Sequence, residues 1–178
     1  MDKFNLDLNG KKIELRKDNN VWFDITHEST SNMLNLIDKY TVTNKTVFDV
    51  GTGTGILAIY SKMRGAKHVT AVDNSASCLE WARKNIRIND VEDIHVEIGD
   101  LSEGIEDKFD IVIANLPGQV QVENIKDIDK NLKEDGLLFI SWYNKFDFEH
   151  YTFYLNWEIV EHIPGKEYDC YVLRRKDE

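Results

Sequence analysis

The residues TVFDVGTGTG at positions 46–55, followed by ILAIYSKMRG at 56–65, set the architecture of this chain. The first five are mostly apolar or β-branched, which is typical of a short buried strand. The second ten are apolar over two helical turns and end at Gly65, which favours a helix closed by a glycine. The glycines between the two segments let the backbone approach a ligand closely. The stretch therefore predicts a strand, a binding loop and a helix in succession.

The same alternation of strand and helix patterns runs through most of the chain. Strands are predicted at 68–73, 94–100, 109–115 and 137–143, and helices at 31–40, 75–89 and 119–133, the last of them ended by Gly136. The tail adds a helix near 148–155 and strands near 157–163 and 168–174. Alternating strands and helices predict an α/β fold with a parallel sheet and right-handed crossovers. In such a sheet, ligands bind at the carboxyl ends of the strands.

The N-terminal segment FNLDLNGKKIELR (4–16) predicts a β-hairpin. Its apolar residues alternate on both sides of Asn9-Gly10, a residue pair that favours a two-residue turn. At roughly 100–200 residues per domain, a chain of 178 residues corresponds to one domain. We expect a hairpin arm at 1–20 and a cofactor-binding catalytic core at 21–178.

The composition narrows the choice of partners. The chain has 22 Lys and Arg against 32 Asp and Glu, a net charge of −10, whereas nucleic-acid binders usually carry a basic stripe. The two cysteines, Cys78 and Cys170, lie too far apart in sequence for a zinc motif or a disulfide framework. The start of the chain lacks an apolar signal core, and no run long enough for a membrane helix occurs. We therefore expect a cytoplasmic protein with no membrane span and no metal.

The sequence of the glycine loop can be compared with three ligand-binding patterns. A phosphate-binding P-loop needs Gly-Lys-Ser/Thr at its end, but here Ile56 follows Gly55. The dinucleotide fingerprint G-x-G-x-x-G places its third glycine one position later, and Asp49 would face a pyrophosphate. The loop is instead similar to the D/E-x-G-x-G-x-G pattern of class I methyltransferases, whose cofactor S-adenosylmethionine is cationic and carries no phosphate. A carboxylate is favourable beside such a cofactor. The predicted cofactor contacts in the loop are Asp49, Gly51, Gly53 and Gly55.

Acidic residues end the next two strands. Asp73 closes HVTAVD, 22 positions after Gly51, where a carboxylate can accept hydrogen bonds from both hydroxyls of a ribose. Asn74 follows it directly, and Asp100 ends the third strand, where this superfamily often contacts adenine. We therefore add Asp73, Asn74 and Asp100 to the predicted cofactor contacts.

The fourth strand ends in Asn115-Leu116-Pro117-Gly118. In amino-group methyltransferases this is the position of the N/D-P-P-Y motif, where an amide oxygen and a backbone carbonyl accept hydrogen bonds from the attacking amine. They aim its lone pair, and such catalysis is mostly positioning. Here the motif lacks the aromatic residue that stacks on a flipped base. Asn115, Leu116 and Pro117 are the predicted catalytic residues.

Four segments together resemble the bacterial methyltransferases that modify lysines and the N-terminal amine of a large-subunit ribosomal protein. THEST (26–30) is similar to that family's T-H-P-T-T, and VIANLPG (112–118) to its V-A-N-I-L-A. VFDVGTGTGILAI (47–59) and GAKHVTAVDNS (65–75) are similar to its glycine loop and second strand. The resemblance covers about residues 22–145. It departs from the family at Glu28 and Ser29, and in having only the hairpin where the family has an N-terminal domain that grips its substrate.

This resemblance implies a Rossmann-like class I methyltransferase with a seven-stranded sheet, flanked by helices, in which one strand is antiparallel. It also implies that Thr30, Gly51, Asp73 and Asn115 contact the cofactor. The function it favours is transfer of a methyl group from S-adenosylmethionine to a protein lysine or N-terminal amine. The implied partner is a basic protein or peptide such as a ribosomal protein, an assignment that suits the acidic charge of the chain.

Three other functions stay open on the sequence. A small-molecule amine or carboxylate methyltransferase would need no recognition domain. An RNA or DNA adenine methyltransferase is compatible with N-L-P-G alone, although the missing aromatic residue and the net charge of −10 oppose it. A degenerate fold that binds cofactor or partner without catalysis is opposed by the intact glycine loop and Asn115. The aromatic C-terminal third is mainly expected in the core, with Trp142 and Tyr143 the foremost candidates for an acceptor pocket.

Overall fold

The elements follow the predicted alternation in the computed structural model, which describes residues 2–18, 27–101, 104–152 and 156–176. The strands are β1 (Asp2–Leu8), β2 (Lys11–Lys17), β3 (Thr46–Val50), β4 (His68–Asp73), β5 (Ile94–Ile98), β6 (Phe109–Ala114), β7 (Leu132–Tyr143), β8 (Trp157–Ile163) and β9 (Tyr168–Arg175). The helices are α1 (Glu28–Lys39), α2 (Ile56–Met63), α3 (Ala76–Ile88), α4 (Gly118–Lys130) and α5 (Phe148–Thr152).

Seven strands form one sheet in the order β5-β4-β3-β6-β7-β9-β8. The pairs from β5 to β7 are parallel, whereas β9 runs antiparallel to both β7 and β8. The prediction of a mostly parallel seven-stranded sheet with one antiparallel strand is therefore confirmed. The strand order reverses beside β3, so the carboxyl end of β3 opens onto the crevice where such sheets bind ligands.

Each face of the sheet carries its own apolar cluster. In β3, Val47 packs on the side of α1 and α2, whereas Phe48 and Val50 pack on the side of α4 and α5. Successive side chains of a strand point to opposite faces, and both faces are covered by helices. This is why the β3 segment is apolar almost throughout rather than alternating with polar residues.

Several boundaries differ from the predictions: β5 ends at Ile98 instead of residue 100, and β7 begins at Leu132 instead of residue 137. Helix α1 begins at Glu28 instead of residue 31, because the His27 ring caps it by accepting a hydrogen bond from the Ser29 backbone N–H at 3.3 Å. The prediction that Gly136 ends the helix before β7 is wrong, since α4 ends at Lys130 and Gly136 lies inside β7. Asn131 follows the helix directly, and its buried amide donates to the carbonyls of Ile105 and Asp107, so α4 ends three residues before the predicted end at 133.

The N-terminal hairpin forms as predicted. Asn9 and Gly10 have φ values of 49° and 78°, the left-handed pair that a tight hairpin turn requires. Ile13 and Leu15 of β2 are buried and join the core cluster on the side of α1 and α2. The hairpin is thus packed against the core, and its use in substrate recognition stays a prediction.

Candidate cofactor and acceptor site

The glycine loop between β3 and α2 is held in a conformation that its glycines make possible. Gly51, Gly53 and Gly55 have φ values of 72°, 55° and 84°, a region that other residues rarely adopt. The backbone N–H groups of Gly51 and Thr52 both donate to the carbonyl of Val72 at 2.9 Å. The loop is therefore fixed to the end of β4.

Asp73 ties the loop to the second strand by its side chain. One carboxylate oxygen accepts the backbone N–H of Gly53 at 2.9 Å, and the other accepts the N–H of Ser75 at 2.9 Å. A carboxylate offers about four acceptor positions, so each oxygen keeps capacity for a further donor such as a ribose hydroxyl. Asp73 thus organises the loop and remains able to bind a ligand.

A cavity of about 300 Å³ opens beside the loop, at the carboxyl ends of β3, β4 and β6. Eight of the predicted residues line it: Gly51, Gly53, Asp73, Asn74, Asp100, Asn115, Leu116 and Pro117. Four further lining residues were not predicted: Ser75, Cys78, Leu101 and Val120. Each of these follows a predicted residue by one to three positions or lies in the first turn of the next helix. Extending each strand-end motif by one helical turn would have found them.

Three predicted cofactor contacts do not line this cavity. Thr30 is fully buried beneath Asn115, and Asp49 is 1% exposed. Gly55 starts α2 and packs on α3, where a side-chain Cβ would lie 3.3 Å from the Cα of Ala82. These residues support the walls of the cavity, and a direct contact with the cofactor stays a prediction for them.

Asp49 lies on the α2 side of β3, beneath the loop. Its carboxylate accepts the Thr52 hydroxyl at 2.7 Å and a hydrogen bond from the backbone of Ala58. Burial raises the pKa of Asp49 to about 7, against the lowering effect of these hydrogen bonds, and the charge of Asp73 adds to the increase. Asp49 therefore joins the loop to the first turns of α2.

Asn115 is held by a contact between segments that are distant in sequence. Its amide nitrogen donates to the hydroxyl of Thr30 at 3.2 Å, in the first turn of α1. No described residue donates to its amide oxygen, which stays available as an acceptor at the edge of the cavity. Pro117 follows with extended backbone angles and caps the start of α4. The amide oxygen of Asn115, an acceptor, therefore lies close in sequence to a backbone segment that Pro117 restrains.

The charge of the cavity favours a cation over a phosphate. Its described lining contains the carboxylates of Asp73 and Asp100 and no lysine or arginine. The apolar side chains of Leu101, Leu116 and Val120 provide part of the remaining wall. A ligand that combines a ribose, a flat base and a positive charge matches this donor set, whereas a pyrophosphate would lack a cationic partner.

Aromatic rings lie beside the Asn115-Leu116-Pro117-Gly118 segment. Tyr143 at the end of β7 contacts Tyr168 with ring centroids 5.2 Å apart, and the His27 ring lies 5.4 Å from that of Tyr168. A Cβ on Gly118 would lie 2.5 Å from the Cβ of Tyr143. Trp142, the other candidate for an acceptor pocket, is 1% exposed and belongs to the core.

The described residues contain no cluster of metal-ligating side chains and no helix long and apolar enough to cross a membrane. Comparison with known proteins is more informative. A family model described as "Ribosomal protein L11 methyltransferase (PrmA)" matches residues 24–147, which is more than half of the chain.

Two curated relatives carry the same name. The protein of Clostridium perfringens strain SM101 is 39% identical over 115 residues, which cover 65% of this chain and 37% of the relative. The protein of Thermosipho africanus is 32% identical over 148 residues, 83% of this chain and 55% of the relative. The chain therefore spans well under two thirds of the length of both.

Solved structures agree on the fold. The ribosomal protein L11 methylase of Lactobacillus delbrueckii subsp. bulgaricus has a TM-score of 0.78 and 29% identity, covering 85% of this chain and 81% of that one. The Thermus thermophilus 16S rRNA N2 G1207 methyltransferase, solved with AdoMet and guanosine, has a TM-score of 0.82 at 16% identity and covers 98% of this chain and 50% of that one. The second likeness supports the fold alone.

Proposed function

The chain belongs to the ribosomal protein L11 methyltransferase family, and from that membership we propose that it methylates an amine of a ribosomal protein, with S-adenosylmethionine as the donor. The single observation that carries the proposal is one cavity lined both by Asp73, on the cofactor side, and by Asn115, on the acceptor side. Because the named acceptor of the family is a ribosomal protein, the proposal places the reaction in the cytoplasm.

The residues of the cavity fit this cofactor. Asp73 would hold the ribose hydroxyls, because each of its oxygens has an unused acceptor position. Asp100 and Asn74 offer polar groups to the base and sugar, and Leu101 offers an apolar surface. The acidic lining favours the positive charge that the cofactor carries. When bound, the cofactor supplies an electrophilic methyl group.

Asn115 would orient the acceptor. Its amide nitrogen is engaged by Thr30, so the amide is held with its oxygen available to accept an N–H of the incoming amine. A hydrogen bond to that N–H restrains the rotation of the amine and directs its lone pair. Pro117 fixes the neighbouring backbone, so the Leu116 carbonyl is a second candidate acceptor. The chain thereby contributes binding and orientation.

The acceptor must be a neutral amine when it attacks, because an ammonium group has no lone pair. The ordinary pKa of lysine is about 10.4, so the fraction of reactive amine increases with pH above neutrality. Net charge supports a basic acceptor: at −10, the chain attracts lysine-rich proteins and repels nucleic acids. The net charge thus favours a protein amine over a base in RNA.

The experiment presents three acceptor pools to the enzyme with methyl-labelled cofactor: large-subunit ribosomal proteins, ribosomal RNA, and a small-molecule extract. We expect label in a ribosomal protein, removed by protease and resistant to nuclease, and incorporated about tenfold or more slowly by the Asn115→Ala variant. Label removed by nuclease would indicate an RNA methyltransferase, and label only in the extract would indicate a small-molecule acceptor. Either result would contradict the proposal.

A further inference from the structure

Asn85 of α3 and Asn89, which caps the C-terminal end of that helix, continue the hydrogen bonding of the hairpin. Asn85 accepts the backbone N–H of Arg16 at 2.8 Å and donates to the Arg16 carbonyl at 3.0 Å. Asn89, one helical turn later, accepts the N–H of Glu14 at 2.9 Å and donates to the Glu14 carbonyl at 2.7 Å. Each amide thus pairs with one residue of β2 as a neighbouring strand would. The helix thereby covers the free edge of the hairpin.

Only one of these two amides also reaches the glycine loop. The second hydrogen of the Asn85 amide nitrogen donates to the carbonyl of Thr54 at 2.9 Å. The corresponding hydrogen of Asn89 donates to the Asn85 carbonyl within the helix at 2.7 Å. Asn85 is fully buried, so its three hydrogen bonds are shielded from water. One side chain therefore joins the hairpin, α3 and the loop.

The position of Thr54 gives this contact its importance. Thr54 lies between Gly53, whose N–H binds Asp73, and Gly55, whose φ is 84°. Its hydroxyl is buried and has no hydrogen-bond partner among the described residues, so none of them anchors this side chain by a hydrogen bond. The peptide unit between Thr54 and Gly55 is otherwise held by the Gly55 N–H, which donates to the Thr52 carbonyl at 2.9 Å. Loss of the Asn85 donor would therefore remove one of its two hydrogen bonds, beside a glycine whose backbone is free to turn.

The hairpin determines which way the Asn85 amide faces. Because the Arg16 N–H requires an acceptor, the amide oxygen must point to β2. The amide nitrogen is then left to satisfy the Thr54 carbonyl. The opposite orientation would set two oxygens against each other at Thr54 and two donors against each other at Arg16. A buried mismatch of this kind is costly.

We infer that Asn85 is a positioning residue of the cofactor loop and that the N-terminal hairpin, through Arg16, sets its orientation. This inference rests on the proposed cofactor function of the loop. The hairpin would then support the cofactor loop of this chain through Asn85, in addition to any contact with a substrate. Docking of the hairpin and binding of the cofactor are then coupled through one amide.

The test compares Asn85→Ala with Asn89→Ala, a matched control that loses the same kind of β2 contact but no contact with the loop. Affinity for S-adenosylhomocysteine is measured by calorimetry, and stability by urea unfolding. We expect Asn85→Ala, which loses the one hydrogen bond to the loop, to weaken binding about tenfold, and Asn89→Ala to change it less than about twofold. Equal effects on affinity would overturn the inference.

A second pair of variants keeps an acceptor for β2 and removes the amide donors. Asn85→Asp keeps an acceptor for the Arg16 N–H and removes the donor to Thr54, so affinity should again fall relative to Asn89→Asp. Unchanged affinity would overturn the inference. Amide exchange of Gly53 and Gly55 is measured without ligand: faster exchange is expected for the Asn85 variants only, and equal exchange in the Asn85 and Asn89 variants would overturn the inference. If the wild-type chain binds no S-adenosylhomocysteine, the proposed function fails while the exchange result still tests the loop.

Discussion

Asp73 illustrates how one side chain can serve both the protein and its ligand. Its two oxygens hold the N–H groups of Gly53 and Ser75, and both residues line the cavity. The loop conformation and ligand binding are therefore linked at this carboxylate. A substitution of Asp73 therefore affects both the loop and the ligand. Asp100 also lines the cavity, but among the described residues its side chain makes no comparable hydrogen bond to the backbone.

We expect Asp73→Ala to weaken S-adenosylhomocysteine binding by about a hundredfold, because charge-assisted hydrogen bonds contribute about 1.5–3 kcal/mol each. Asp100→Ala, the matched control at the next strand end, should weaken it much less. Titration calorimetry measures both, with NAD as a second ligand. Unchanged affinity in Asp73→Ala, or tight binding of NAD, would contradict the assignment of the cavity.

Substitution of Asn115 distinguishes an effect on acceptor positioning from an effect on cofactor binding. We expect Asn115→Ala to lower kcat by about tenfold or more, about 1.4 kcal/mol of barrier, with a smaller loss of cofactor affinity. Thr30→Val, which removes the hydroxyl that holds the amide, should lower kcat in the same direction while leaving the amide in place. Single-turnover rates and calorimetry distinguish the two effects. Equal losses in rate and affinity would mean that Asn115 acts mainly on the cofactor.

Asp49 predicts a pH dependence of stability with a defined sign. Its pKa is about 7 when folded and 3.8 as the ordinary value, so the folded state binds more protons between these pH values. The stabilisation is therefore fully present below about pH 3.8 and is lost as the pH rises through about 7. We expect the free energy of unfolding of the wild type, relative to Asp49→Asn, to fall by up to about 1.4 kcal/mol per pH unit in this window. Parallel urea-unfolding profiles of the two proteins at pH 5 to 8 would contradict this.

The junctions between strands and helices position the site. Strands β3, β4 and β6 end at one edge of the sheet, and the segments after them carry the loop, Asp73 and Asn115 in turn. Helix α4 then starts at Gly118, where it approaches the end of β7 so closely that a side chain would not fit. The close approach brings Tyr143 beside the Asn115-Pro117 segment.

We expect Gly118→Ala to destabilise the protein by about 1–3 kcal/mol, because the added methyl group would overlap Tyr143 and force α4 or β7 to shift. Gln119→Ala, at an exposed position in the same helical turn, is the control and should have little effect on stability. Denaturant unfolding measures both. If Gly118→Ala were as stable as the control, α4 would not be packed against β7 as described.

The molecule as a whole carries a net charge of −10, which acts over a longer range than any single contact. For a basic protein acceptor, attraction accelerates encounter and is screened by salt, with a Debye length of about 10 Å at 0.1 M. We expect kcat/KM for a ribosomal protein to fall as salt increases, while affinity for S-adenosylhomocysteine changes little. An increase of kcat/KM with salt would indicate an acidic acceptor instead.

Local patterns were sufficient to predict the elements and most of the cavity. Strand period, helix period and loop glycines are properties of a few adjacent residues, and parallel strands bring their carboxyl ends together whatever the rest of the chain does. Gly51, Asp73 and Asn115 could therefore be assigned to one site from sequence. The antiparallel β9 came only from resemblance to a family, because no local pattern distinguishes strand direction.

Contacts between distant segments could not be predicted in this way. The Asn115 amide meets Thr30 across 85 positions, and Asn85 meets Thr54 across 31. Asp49 looks like a ligand contact in the motif, yet it faces α2 because alternation along β3 turns it beneath the loop. Such choices depend on which helix covers which face of the sheet and how buried amides find partners. Both are determined by the packing of the complete fold. They decide which residues line the cavity and which support those residues from behind.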